Sequence, residues 1–72
     1  MRLVKDRQVA RLFGISVETL RKYVTNRLPF PKGSDVNLDN IRRFKIGAQR
    51  RWVRDDCVKE AQRVGVPLPP NF

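Results

Sequence analysis

Val9, Leu12 and Phe13 stand at i, i+3 and i+4, the spacing that gathers side chains on one face of a helix. Asp6, just ahead of them, offers an N-cap oxygen and a charge that suits the helix dipole. Ala10 is small enough for a close helix crossing, and Gly14 ends the segment where a left-handed residue costs least. Ile15 then plugs a turn and Ser16 caps a second helix from about Val17 to Asn26, with Ser16-x-x-Thr19 as a partial capping box. Its apolar side is Val17, Leu20 and Val24, with Tyr23 at the margin. The opposite side carries Glu18, Arg21, Lys22 and Thr25 at i, i+3, i+4 and i+7. Pro29 and Pro31 exclude further helix and push their preceding residues toward extended backbone.

The pattern changes in the second half. Gly33, Ser34 and Asp35 mark a turn, and residues 39–43 read either as a helical turn or as an extended loop. From Arg42 to Val53, Phe44 and Ile46 alternate with Arg43 and Lys45, Gly47-Ala48-Gln49 turns, and Arg50, Arg51, Trp52 and Val53 return. This predicts a β-hairpin with a three-residue loop, its apolar side packed on the core and Lys45, Gln49, Arg50 and Arg51 presented to solvent. Asp55 or Asp56 caps a last helix with Val58, Ala61 and Cys57 inward, and Gly65 ends it. Met1 to Lys5 is a short apolar-basic lead-in, and residues 66–72, VPLPPNF, form a proline-stiffened tail behind a domain of residues 1–65. The expected fold is mostly α with a small β-hairpin.

Seventy-two residues allow one small domain with little interior for a deep substrate pocket. Leu3, Val9, Leu12, Phe13, Ile15, Leu20, Val24 and Trp52 are the candidate core. A core of this size leaves roughly 3–5 kcal/mol of net stability. Trp52 is read as core that anchors the hairpin to the helices, and Cys57 as a small buried hydrophobe.

Charge adds a partner class. Sixteen Lys and Arg against seven Asp and Glu give a net +9, the balance of a chain that meets a polyanion. An anionic membrane would need a long apolar run or a broad apolar helix face opposite a basic one, and the basic residues are not arranged that way. One cysteine and no histidine exclude a disulfide framework, a multi-cysteine or histidine metal site and a histidine-based triad. No cofactor is expected, and the chain reads as a non-enzyme. The N-terminus has no signal-peptide apolar region, which predicts a cytoplasmic protein.

Two helices around a glycine turn, with cations on the outer face of the second, make a helix-turn-helix whose second helix enters the major groove of duplex DNA. Arg21 is the first candidate for base readout, because a guanidinium bonds guanine O6 and N7 together, worth roughly 1–3 kcal/mol of discrimination. Lys22 and Thr25 read bases or hold phosphates. Glu18 either accepts from cytosine N4 or supports the helix N-terminus through the dipole, and the second reading weighs slightly more. A basic hairpin beside such a helix is a wing for phosphates or the minor groove.

The string Val9-Ala10-x-Leu12-Phe13-Gly14-Ile15-Ser16-x-x-Thr19-Leu20, then Phe30-Pro31, then a basic hairpin closing on Arg51-Trp52 before a capped helix, resembles the MerR-like winged helix-turn-helix group. Within that group it is most similar to small AlpA-type regulators and phage excisionases, over roughly residues 3–64. The resemblance implies a winged helix-turn-helix that binds DNA for a phage, prophage or mobile element. As an excisionase it would fill adjacent attachment-region sites, bend the DNA and bias an integrase toward excision. Groove contacts carry over to Glu18, Thr19, Arg21 and Lys22, and wing contacts to Lys45, Gln49, Arg50 and Arg51. The stretch from Gly33 to Arg42 is longer than the group's usual link. The expected chain is a monomer, with any cooperativity coming from neighbouring copies on DNA, through the 66–72 tail. Rival readings are a small phage or plasmid promoter regulator, the DNA-recognition domain of a terminase small subunit, and a protein-interaction module using VPLPPNF as a proline-rich ligand.

Overall fold

The computed structural model describes residues 1–26 and 35–72. It is a mixed α/β fold of three helices and one three-stranded antiparallel sheet. In chain order the elements are β1 (Leu3–Lys5), α1 (Asp6–Leu12), α2 (Val17–Asn26), a 3₁₀ turn (Leu38–Asn40), β2 (Arg43–Ile46), β3 (Gln49–Val53) and α3 (Arg54–Val64). The expectations resting on Pro29, Phe30, Pro31, Gly33 and Ser34 lie outside the described residues.

The turn between α1 and α2 forms as its sequence suggests. Gly14 takes φ 71°, and the Ile15 N–H reaches back to the Ala10 carbonyl at 2.9 Å while Gly14 N–H reaches Arg11 at 3.3 Å, the paired bonds of a Schellman end. Ser16 Oγ accepts the Thr19 N–H at 3.1 Å and donates to Thr19 Oγ1 at 2.8 Å, which caps α2. The end of α3 repeats the first device, with Gly65 at φ 78° and Val66 N–H bonded to the Ala61 carbonyl at 2.8 Å.

Asp6 corrects the expected cap. It is the first residue of α1, Lys5 is the N-cap, and the Lys5 N–H is taken by Gln8 Oε1 at 2.9 Å. At α3 the N-cap is Val53, with no side-chain bond to it, and Asp55 and Asp56 lie in the first turn. Asp56 instead clamps Arg42, accepting its backbone N–H at 3.0 Å, its Nε at 2.7 Å and its Nη2 at 3.2 Å. These bonds hold the Asp56 carboxyl below the usual carboxylate range and raise Arg42 above its ordinary value.

The Met1 to Lys5 lead-in holds a strand, Leu3–Lys5, that its short apolar-basic pattern does not signal. β1 pairs with β3 through Leu3↔Val53, Val4↔Trp52 and Lys5↔Arg51, so β3 is the central strand. The hairpin is tighter than expected. Ile46 pairs with Gln49, which leaves a two-residue loop of Gly47 and Ala48. Gly47 at φ 63° supplies the positive angle that a type II′ turn needs at its first position, and Gln49 belongs to β3.

Residues paired directly across antiparallel strands share a face. One face therefore carries Val4, Trp52, Arg43, Arg50 and Lys45, and the other Leu3, Lys5, Arg51, Val53, Phe44, Gln49 and Ile46. This overturns the expected division of the hairpin. Phe44 and Ile46 lie with Arg51 and Gln49 and stay exposed, while Lys45 and Arg50 continue the Trp52 face. The two-residue loop is the cause, because a one-residue change of register moves every side chain to the other face.

The core gathers Val4, Val9, Ala10, Leu12, Leu20, Val36, Leu38, Ile41, Trp52, Cys57, Ala61 and Phe72. Val4 rather than Leu3 points into it, and Phe13, Ile15 and Val24 pack at its margin. Cys57 is fully buried, and burial pushes its thiol up to about 12, so it behaves as a hydrophobe. Phe72 brings the 66–72 tail back onto the domain, its carbonyl accepting from Arg54 Nε at 3.1 Å.

The 35–41 segment is tied down by polar bonds. Glu60, 3% exposed, accepts from the Asn37 N–H at 2.8 Å, Asn40 Nδ2 at 2.9 Å and Arg63 at 2.6 and 2.9 Å. Arg63 also donates to the Asp35 carbonyl at 2.7 Å. Val36, Leu38 and Ile41 are buried in this segment, and the backbone N–H groups of Asn37, Asp39, Asn40 and Ile41 are each hydrogen-bonded.

Candidate nucleic-acid interface

A groove of about 620 Å³ runs between the start of α1, the start of α2 and the tip of the hairpin. Its walls carry Lys5, Arg7, Arg21, Lys45, Arg50 and Arg51, and Asp6 is the acidic residue of its lining. The cations arrive from three directions. Lys5 and Arg7 flank the β1–α1 junction, Arg21 comes from the first half of α2 with Val17 one turn before it, and the rest stand on β2 and β3.

Asp6 organises this groove. Its Oδ1 accepts the indole N–H of Trp52 at 2.7 Å, and its Oδ2 accepts Arg21 Nε at 3.4 Å. The buried tryptophan of β3 and the cation of α2 are therefore held by one carboxylate whose side chain is 13% exposed. The Arg21 side chain is 62% exposed, so its terminal nitrogens extend toward solvent past the carboxylate.

Arg50 has the opposite environment. Its Nη1 is buried and has no hydrogen-bond partner among the described residues. A guanidinium nitrogen removed from water with no acceptor is costly, and Arg50 itself is among the residues that line the groove. Arg51 bonds within its own strand, donating to the Arg50 carbonyl at 3.1 Å and to Gln49 Oε1, which leaves other guanidinium N–H donors for a ligand. Lys45, across from Arg50, is exposed.

The basic run from Arg42 to Arg54 thus divides by partner. Arg42 is held by Asp56 and Arg54 by the Phe72 carbonyl and ring, 5.6 Å away. Arg43 donates to the Leu38 carbonyl at 3.1 Å and lies 5.2 Å from the Trp52 ring centre. These three bind the fold together, and Lys45, Arg50 and Arg51 line the groove.

On α2 the candidates separate in the same way. Arg21 lines the groove, while Glu18, Lys22 and Thr25 form an exposed stripe one position around the helix. Thr19 is half-buried and engaged with Ser16 at the cap. Gln49 lines the groove and is tied to Arg51. Sequence reasoning missed Lys5 and Arg7; the signal available was the alternation Lys5-Asp6-Arg7, which only the β1–β3 pairing brings beside Arg51.

Among the described residues, no helix is long and apolar enough to cross a membrane, and no group of three or more His, Cys, Asp or Glu side chains is placed to hold a metal ion. Comparison with protein-family models, with curated proteins and with solved structures gives no match to this chain.

Proposed function

We propose that this chain is a non-enzymatic, cofactor-free protein that binds duplex DNA as a winged helix-turn-helix. In this reading α1, the Gly14 turn and α2 are the helix-turn-helix, α2 enters the major groove, and the β2–β3 hairpin is the wing. The observation that carries it is one groove whose cations, Lys5, Arg7, Arg21, Lys45, Arg50 and Arg51, come from the β1–α1 junction, α2 and the hairpin together. A DNA phosphate is the acceptor that such a groove suits. Arg21, Lys22 and Thr25, with Glu18, face the bases, and Lys45, Gln49, Arg50 and Arg51 hold the backbone.

The resemblance to excisionases refines the task. The protein works in the bacterial cytoplasm on nucleoid or phage DNA, filling neighbouring attachment-region sites, with adjacent copies in contact, and bending the DNA so that an integrase favours excision. Footprinting on the chain's own genomic neighbourhood tests this. Several phased sites beside an attachment core support the excision role. A single operator over a promoter replaces it with promoter regulation, and no protected site at either removes the DNA reading.

A further inference from the structure

The apolar pair Phe44 and Ile46 is left over from both the core and the cationic groove. Phe44 is 47% and Ile46 58% exposed, they are two residues apart on one face of β2, and Ile46 adjoins a tip made only of Gly47 and Ala48. Nothing in the core needs them, since Trp52 and Val4 fill the other face. Their surroundings are cationic. Arg51 is the cross-strand partner of Phe44 and shares its face, Lys45 and Arg50 stand on the opposite face of the same hairpin, and no acidic residue occurs from Arg42 to Arg54.

A second copy of the chain is a poor occupant, because it brings another +9 to a patch already bordered by cations. An acidic duplex suits it. Exposed Phe and Ile on a basic element are the side chains that enter a base step from the minor groove, part its stacking and kink the helix toward the major groove. Successive residues on one face of a strand lie about 6.7 Å apart, close to two base-pair rises, so both side chains can follow the same groove.

We infer that the β2–β3 hairpin is a DNA-kinking wedge, with Phe44 entering a base step and Ile46 lying against the groove wall. This rests on the DNA-binding reading and adds a mechanism of bending to it. The wedge makes binding depend on how easily a step unstacks, so TA and CA steps are favoured over A-tracts even without a hydrogen bond to their bases.

The test uses the full chain and two labelled 30-base-pair duplexes at low salt, one with central TA and CA steps carrying 2-aminopurine, the other with a central A-tract. Wild type binds the first roughly tenfold tighter, as expected where deformability is read as energy, and its 2-aminopurine fluorescence rises. Phe44→Ser with Ile46→Ser loses both the preference and the fluorescence rise but keeps its thermal midpoint and its affinity for the A-tract duplex. Phe44→Leu retains most of the preference. Unchanged fluorescence in wild type, or equal loss of affinity for both duplexes in the serine variant, overturns the wedge while leaving DNA binding in place. A wild-type dimer that the serine variant dissociates assigns the patch to a second copy instead. Failure of wild type to bind either duplex overturns the DNA reading itself.

Discussion

The indole N–H of Trp52 donates to Asp6 Oδ1 at 2.7 Å, joining residues 46 positions apart. Trp52 lies at the centre of the sheet and Asp6 at the first turn of α1, so this bond fixes where the helical layer begins over the strands. The second oxygen of the same carboxylate takes Arg21, which makes the position of a surface cation on α2 depend on a buried aromatic of β3.

Replacing Asp6 separates the two roles. Asp6→Ala leaves the part-buried indole donor unpaired and costs about 1–3 kcal/mol. Asp6→Asn keeps an oxygen for Trp52 but loses the charge facing Arg21. Urea denaturation should show the alanine variant clearly destabilised and the asparagine variant close to wild type, with the asparagine variant discriminating less between DNA sequences. An alanine variant as stable as wild type contradicts the role given to this bond.

Acid should loosen the 35–41 segment. Arg63 first, then the Asn37 N–H and Asn40, hold the Glu60 carboxyl down to about 2 from an ordinary 4.5, against a burial that raises it. A lowered folded value stabilises the protein above the ordinary value, and the contribution fades as pH falls from about 4.5 to about 2. Its upper bound is ~3 kcal/mol for a shift of that size. Asp56, lowered by Arg42, acts in the same direction. Denaturation midpoints at pH 7, 4 and 2.5 should fall in that order, and Glu60→Gln should be less stable at pH 7 and flatter below it. An equal acid loss in Glu60→Gln places the titration elsewhere.

Gly14 tests the turn between α1 and α2. A Cβ there meets nothing within 4 Å, so the whole penalty of Gly14→Ala comes from φ 71°. About 1–2 kcal/mol is expected for an L residue in that region, read as a lower thermal midpoint of roughly 4–8 °C per kcal/mol. A neutral substitution contradicts a turn held in that conformation.

Arg21 and Arg50 differ in environment and should differ in effect. Arg21→Ala should flatten discrimination between sequences. Arg50→Ala should weaken binding to all sequences alike and reduce the salt slope by about one. Equal, non-selective losses from both remove base reading from α2.

Much of the first half was legible because its signals are local. The spacing of Val9, Leu12 and Leu20, the left-handed Gly14 and the Ser16 cap each act within a few residues, and α2 spans Val17–Asn26 as its pattern implies. The rest depends on pairing at long range. β1 is visible only beside β3, and Asp6 and Asp56 were assigned to caps when distant Trp52 and Arg42 claim them. The burial of Val36, Leu38 and Ile41 rests on Glu60, a carboxylate that composition would place in solvent. The same limit applies to the groove. Arg21 was legible from its helix face, but the faces of Phe44 and Arg50 followed from a loop one residue shorter than the sequence suggested.

The most direct test is the affinity of the purified chain for a labelled 30-base-pair duplex, measured by fluorescence anisotropy from 50 to 300 mM salt. Contacts from the groove cations predict a log–log slope of about −4 to −5, with Arg50→Ala shallower by about one. Absence of binding at 50 mM salt, or an affinity indifferent to salt, contradicts the account.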